Sequence, residues 1–141
     1  MSPGFEECLF QGEPGIKLIA GETEATFLPA VGMTGVSLRH RGNEYLDMPG
    51  GVEGLRERST AGLPLLAPWA NRLSSWEYTV GDTHVDLSGS KVPTRDNHDL
   101  PIHGLLLAST DWQIDRQRTS RGKARLDASI HVDMPEFPFH H

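Results

Sequence analysis

The sequence predicts an all-β fold, and three observations support this prediction. The chain has 15 glycines and 10 prolines in 141 residues, and they are scattered along it rather than clustered. Short runs with alternating apolar and polar residues lie between these turn-forming residues, as is typical of strands. No segment has the periodicity of an amphipathic helix, although Val52–Ser59 could form one short helical turn.

The first half of the chain predicts short antiparallel strands. Ile16–Ala20 and Glu24–Leu28 are apolar-alternating segments on either side of Gly21–Glu22, so we expect them to pair as a hairpin. Val36–Leu38 alternates in the same way before a second turn. That turn and the strand after it are predicted at Arg41–Asn43 and from Tyr45–Leu46.

The second half predicts two further hairpins. Trp76–Val80 and Thr83–Leu87 alternate on either side of Gly81–Asp82, a two-residue loop that suits a type II′ turn. The region Trp112–Val132 is predicted as another hairpin, with its turn at Thr119–Gly122. Its first arm has Trp112 and Ile114 on one face. The second arm has an apolar face of Leu126, Ala128, Ile130 and Val132, and a wet face of Arg125, Asp127, Ser129, His131 and Asp133.

Two long segments lack a strand pattern. Met48–Gly62 carries four glycines and several charges, and Ser88–Pro101 contains Asp96, Asn97, His98 and Asp99. Loops of this length in a compact domain are usually functional or disordered. Because each leads directly into a segment with unusual chemistry, we favour a functional role.

The first long loop leads into an apolar run, Gly62–Leu73, that ends at Asn71 and Arg72. The second long loop leads into Leu100–Gly104, which contains His103. Arginine offers a rigid fork of donors, asparagine offers donors and an acceptor, and histidine can exchange a proton near neutral pH. These groups suit a polyhydroxylated ligand. We therefore expect them to line the mouth of a β-sandwich.

Each of these residues also has a purely structural interpretation. Asn71 and Arg72 could cap a strand, and His103 could hydrogen-bond a loop. Trp69 and Trp76 are expected to pack in a core or a hairpin rather than stack on a sugar. The acidic residues of the Ser88–Pro101 loop are expected to be solvated.

The two segments together resemble the aldose 1-epimerase (galactose mutarotase) family. Pro68-Trp69-Ala70-Asn71-Arg72 resembles its P-W-A-N-R-type segment, and Ile102-His103-Gly104 resembles its I-H-G-type segment. The resemblance extends from the turn at Gly32–Gly35 to residues 137–141. It implies a galactose mutarotase-like β-sandwich, with residues 1–141 forming the N-terminal part of a single domain. It also implies an isomerase that interconverts the α and β anomers of an aldohexose, with no cofactor or metal.

The resemblance also assigns roles to the three polar residues. It implies that Asn71 and Arg72 bind sugar hydroxyls and that His103 is a catalytic residue that binds the sugar near its ring oxygen. In the family the catalytic base is a glutamate and the acid a second histidine, both from a later part of the fold. Their motif positions have no counterpart in this sequence, and residues 134–141 resemble the approach to another strand. We therefore expect the fold to be truncated after its first part and this chain to be inactive alone.

Two other functions stay open at this point. A non-catalytic carbohydrate-binding module would keep Asn71, Arg72 and His103 without the acid–base pair. An enzyme of the same fold that acts on a phosphorylated sugar would need more basic residues at the mouth. Four arginines could supply that charge: Arg39, Arg41, Arg56 and Arg58.

Composition limits the classes of binding partner and the cellular compartment that we expect. A net charge of -6 argues against nucleic acid and gives no support for an anionic membrane surface. The resemblance implies a small-molecule sugar as the partner. The single cysteine, Cys8, excludes an internal disulfide and suits a reducing compartment. The sequence has no secretory signal or apolar span, so a cytoplasmic location is expected. The histidines do not show metal-site spacing, and the oligomeric state is left open.

Overall fold

Strands dominate the computed structural model, which describes residues 2–139. The strands are β1 (Gly4–Phe10), β2 (Glu13–Ala20), β3 (Thr23–Leu28), β4 (Thr34–His40), β5 (Asn43–Glu44), β6 (Glu77–Val80), β7 (Thr83–Asp86), β8 (Thr94–Arg95), β9 (Pro101–Ile102), β10 (Gln113–Ser120) and β11 (Lys123–Ser129). One short helix, α1, spans Gly51–Arg56. The predicted all-β class is confirmed.

The backbone forms two compact units. The first, unit 1, comprises residues 2–65 and 107–130; the second, unit 2, comprises residues 66–106 and 131–139. Within the described range, no helix is both long and apolar enough to cross a bilayer.

Unit 1 contains an antiparallel sheet in which β1 to β5 lie side by side in chain order. The predicted first hairpin is confirmed, since Ala20 pairs with Thr23 and leaves Gly21–Glu22 as its turn. The core of this unit forms where Leu28, at the end of β3, meets Val36 of β4 and the buried side of α1. Apolar residues on one side of each element thus drive the packing.

The strand predicted from Tyr45–Leu46 is wrong. The strand is instead Asn43–Glu44, because His40 pairs with Asn43 across a tighter turn. The Glu44 carboxylate accepts hydrogen bonds from the N–H groups of Tyr45 and Leu46, both at 3.1 Å. The N–H of Tyr45 also donates to the carbonyl of Leu38 of β4 at 2.9 Å, and the chain leaves the sheet after this bond.

The Met48–Gly62 loop contains α1, so the short helical turn predicted near Val52–Ser59 is confirmed. Its apolar residues Val52 and Leu55 are buried in the core of unit 1. The apolar run that follows is bound to β4 by two hydrogen bonds between Gly35 and Leu63, at 3.1 and 2.8 Å. This loop is therefore held at its helix and at its C-terminal end.

The β10–β11 hairpin lies against β2, and it is shorter than predicted. Ser120 pairs with Lys123, so the turn is Arg121–Gly122, and β11 ends at Ser129. The predicted apolar face is confirmed for Leu126 and Ala128, which line a cavity of about 500 Å³ in unit 1 together with Trp112. Ile130 and Val132 were wrongly placed in the hairpin; Val132 packs in the core of unit 2 instead.

In unit 2 the hairpin of β6 and β7 is confirmed. Val80 pairs with Thr83, and Gly81 has a φ of 58° whereas Asp82 has no positive φ, as a type II′ turn requires. Both tryptophans that were expected to pack, Trp69 and Trp76, lie against the core of this unit. That core consists of Val85, Leu87, Leu105 and Phe137.

The Ser88–Pro101 segment is not wholly irregular, which corrects its prediction as a loop. It contains β8, in which Thr94 pairs with Ile102 and Arg95 with Pro101 of β9. Near the end of the chain, Met134 and Phe137 form a single bridge. Part of the predicted approach to another strand, His140 and His141, lies outside the described residues.

Candidate functional site

The two segments that stand out in the sequence are neighbours in unit 2. Arg72 and Ile102 form an antiparallel bridge. The N–H of Leu73 donates to the carbonyl of Pro101 at 2.9 Å, and the N–H of His103 donates to the carbonyl of Asn71 at 3.2 Å. The backbone therefore brings His103 beside Asn71 and Arg72, although it is distant from them in sequence.

A tight turn at Gly104 fixes the backbone beside His103. His103 has a φ of 67° and Gly104 a φ of 71°, both in the left-handed region. The next residue, Leu105, donates its N–H to the carbonyl of Ala67 at 2.7 Å. A Cβ on Gly104 would lie 2.1 Å from that same oxygen, so only glycine fits this close approach.

The backbone also determines which nitrogen of His103 is available. Its Nδ1 lies 3.2 Å from the carbonyl oxygen of Ala70. A carbonyl can only accept, so Nδ1 carries the proton and donates it. In the neutral imidazole, Nε2 is then the acceptor, and in the imidazolium it becomes a donor. The ring can therefore present either hydrogen-bonding character to a ligand.

Arg72 is held from one edge of its guanidinium. Its Nε donates to Oδ2 of Asp96. The Arg72 side chain is 42% exposed, whereas the Asp96 side chain is only 6% exposed. The two terminal nitrogens, Nη1 and Nη2, donate to no acceptor within residues 2–139. They remain available to a ligand.

Asp96 is itself fixed by the turn in which it lies. Its Oδ1 accepts hydrogen bonds from the N–H groups of His98 and Leu100, both at 2.9 Å. Burial acts to raise the pKa of Asp96, but the hydrogen bonds from Leu100, His98 and Arg72 outweigh it and hold the pKa below its usual range. This carboxylate is therefore ionised and fully engaged.

The expectation that the acidic residues of this segment are solvated is wrong for Asp96. Asp99 does have an exposed side chain, at 77%, which pairs with Arg95 at 2.7 Å. Asp96 is the residue of this region that sequence reasoning missed. An aspartate that precedes a short polar stretch often accepts the N–H two residues later, and this pattern was available in Asp96-Asn97-His98.

Asn71 is exposed at the surface of unit 2. Its Oδ1 accepts a hydrogen bond from the N–H of Arg72 at 2.9 Å, which orients the amide. Its NH₂ group has no acceptor in the described part of the chain. The amide NH₂ of Asn71 and the terminal nitrogens of Arg72 are thus donor groups on consecutive residues that have no acceptor among residues 2–139.

The tryptophans of this unit are used in packing. The guanidinium of Arg95 lies 4.0 Å from the ring centroid of Trp76, and Nε1 of Trp76 donates to the carbonyl of Asp99 at 2.6 Å. Trp69 packs at a tilt against Phe137, with 6.3 Å between centroids. One face of Trp76 is therefore covered by a cation, which fits the packing interpretation.

The four arginines that a phosphorylated sugar would need belong to unit 1, where carboxylates pair with three of them. Arg39 contacts Glu44 at 3.2 Å, and Arg41 contacts Glu22 at 2.8 Å. Arg56 pairs with Glu13. These contacts give no support to a phosphosugar site. No three His, Cys, Asp or Glu side chains within residues 2–139 converge in a way that could hold a metal ion.

Comparison with known proteins identifies the fold. No protein-family model matches the sequence. No curated protein matches it either. Among solved structures, the chain is similar to a galactose mutarotase-like protein from Clostridium acetobutylicum, with a TM-score of 0.76 and 23% sequence identity. The match covers 95% of this chain and 40% of that protein. The predicted galactose mutarotase-like fold is therefore confirmed, over a chain that spans well under half of its structural relative.

Proposed function

We propose that this chain supplies the sugar-binding part of an aldose 1-epimerase-type isomerase that acts on an aldohexose. The observation that carries the proposal is the antiparallel pairing of Asn71–Leu73 with Pro101–His103, which brings three sugar-binding residue types together. The mutarotase-like fold supports the same function. The chain spans 40% of the length of its structural relative. The activity of the complete enzyme is therefore also a proposal.

The free groups at this site match the chemistry of a pyranose. Sugar hydroxyls accept and donate hydrogen bonds, so they can accept from the NH₂ of Asn71 and from the terminal nitrogens of Arg72. Nε2 of neutral His103 can accept from a hydroxyl, and the protonated ring can donate to the ring oxygen. These contacts would orient the sugar without any metal.

Ring opening needs a base that removes the proton of the anomeric hydroxyl and an acid that protonates the ring oxygen. Each typically contributes a factor of ~10²–10⁴ in rate. At this site His103 has the chemistry of one such group. Asp96 cannot serve as its partner, because Arg72 and two backbone N–H groups already engage that carboxylate.

The 141-residue chain should therefore bind sugar without catalysing mutarotation. Polarimetry of freshly dissolved α-glucose should show the same rate of interconversion with the chain as with buffer. The His103→Ala variant is the control and should behave identically. Clear acceleration by the wild-type chain, abolished in the variant, would show that a second catalytic group lies within these residues.

Binding itself is tested by a ¹⁵N NMR titration with galactose and glucose. We expect the amides of Asn71, Arg72, His103 and Gly104 to shift with increasing sugar, while those of Arg121 and Gly122, in the turn of the β10–β11 hairpin, stay in place. The open-chain polyol sorbitol serves as the control for non-specific effects. Shifts that spare the first four amides, or that sorbitol reproduces, would contradict the proposed site.

A further inference from the structure

We propose that Asp96 is the positioning residue of this site. Its carboxylate binds Nε of Arg72, so that both terminal nitrogens of the guanidinium face the hydroxyls of the sugar. The inference rests on the proposed function, because it concerns how the sugar-binding arginine is held. Asp96 would not touch the sugar. It would act through Arg72.

The difference in burial between the two partners indicates which one is fixed. The side chain of Asp96 is almost completely buried, whereas the side chain of Arg72 is substantially exposed. Asp96 also accepts two backbone hydrogen bonds in addition to the one from Arg72. The carboxylate is thus a rigid anchor, and the long arginine side chain is what it restrains.

The planar guanidinium makes this anchoring useful. Its five N–H donors lie in one plane, and the pair with Asp96 uses the donor on Nε. The terminal nitrogens are then left in a fixed orientation and can contact neighbouring oxygens of a ligand. An arginine without this anchor would sample many rotamers and would lose that freedom on binding, at a cost in affinity.

Asp96 also connects the two halves of the site. Its backbone N–H donates to the carbonyl of Leu100 at 3.0 Å, so the turn from Asp96 to Leu100 is closed by main-chain and side-chain bonds. The residues that follow are Pro101–His103, which pair with Asn71–Leu73. One carboxylate therefore holds Arg72 and stabilises the turn that leads to His103.

The substitution Asp96→Asn separates these two roles. Asparagine keeps Oδ1 as the acceptor for the N–H groups of His98 and Leu100, but its NH₂ group replaces the oxygen that binds Nε of Arg72. We expect galactose affinity, measured by calorimetry, to fall roughly 2- to 10-fold, the cost of immobilising one long side chain. The matched control is Asp99→Asn, which alters an exposed carboxylate of the same turn and should leave affinity unchanged.

NMR supplies a measurement that would not change if Asp96 only stabilised the turn. The Nε–H signal of Arg72 should be protected from exchange with water in the wild type and lose that protection in Asp96→Asn. The amide signals of His98 and Leu100 should stay near their wild-type positions. An Nε–H signal that is equally protected in both proteins would overturn the inference.

A double-mutant cycle keeps the test decisive even if the turn loosens. If Asp96 acts through Arg72, adding Asp96→Asn to Arg72→Ala should cause no further loss of galactose affinity. Additive losses of affinity would overturn the inference. Wild-type affinity in Asp96→Asn, with reduced affinity in Arg72→Ala, would also overturn it. The proposed function would survive either result. Wild-type affinity in Arg72→Ala would instead reject the proposed function itself.

Discussion

At the scale of single residues, Gly104 determines where His103 can lie. The carbonyl of Ala67 occupies the space that a side chain at position 104 would need. That same carbonyl accepts the N–H of Leu105, so the turn and the apolar run are held in contact at one atom. Glycine at position 104 is thus a geometric requirement of this turn, because the carbonyl of Ala67 leaves no space for a side chain there.

The substitution Gly104→Ala should destabilise the chain more than the matched substitution Gly81→Ala. Both glycines have a positive φ and both lie in unit 2, but nothing lies within 4 Å of a Cβ at Gly81. The control should cost about 1 kcal/mol from backbone strain. Gly104→Ala should cost about 1–3 kcal/mol more from overlap with Ala67. Urea unfolding followed by tryptophan fluorescence measures both; equal losses would show that the turn at Gly104 can relax.

Sequence reasoning selected the three candidate residues but missed the contact between Arg72 and Asp96, for a physical reason. Asn71 and Arg72 are adjacent, and His103 precedes a glycine, so each could be recognised from its near neighbours. Asp96 binds Arg72 across 24 positions of the chain. Its burial is a consequence of tertiary pairing, and local composition suggested only a charged, solvated loop.

At the scale of elements, Glu44 shows how one side chain can join a strand to the segment that follows the sheet. Burial acts to raise the pKa of Glu44, but hydrogen bonds from Ser37, from the backbone N–H groups of Leu38 and Leu46, and from Arg39 outweigh it and lower the pKa to about 2. The carboxylate contacts Ser37 at 2.5 Å and the N–H of Leu38 at 2.8 Å. It thus ties β4 to the residues that follow β5.

The β4–β5 region should consequently loosen in acid. The folded-state pKa of Glu44, about 2, lies below its ordinary value of 4.5. Glu44 therefore contributes stability above pH 4.5, and this contribution is lost as pH falls from 4.5 towards 2. Carboxyl ¹³C NMR should give a midpoint near 2, with the amide of Leu46 shifting in parallel and becoming insensitive in Glu44→Gln. A midpoint near 4.5 would contradict the assigned hydrogen bonds.

The β2–β3 and β6–β7 hairpins were predicted together with their turns. Their arms alternate, and a glycine marks each turn, as at Gly21 and Gly81. The ladder of β8 and β9 could not be found in this way, because strands of two residues have no periodicity. The C-terminal end of β11 was also predicted too late. The alternation of apolar and polar residues continues past Ser129, although the chain soon leaves unit 1.

At the scale of the whole molecule, the fold class followed from patterns that recur along the entire chain. Scattered glycine and proline, together with alternating segments, indicate strands wherever they occur. The similarity to a mutarotase-like protein at 23% identity confirms the fold. Composition could not predict the division into two compact units, because that division depends on long-range contacts, such as those that take Val132 into the core of unit 2.

Calorimetric titration of galactose into Arg72→Ala and Arg125→Ala tests the proposal that Arg72 is a sugar ligand. The two arginines are matched, because each donates through Nε to an aspartate, but Arg125 lies on the exposed face of the β10–β11 hairpin. Loss of a charged donor at the site should weaken binding by about 1.5–3 kcal/mol, whereas Arg125→Ala should be nearly neutral. Equal affinities in the two variants would contradict the site.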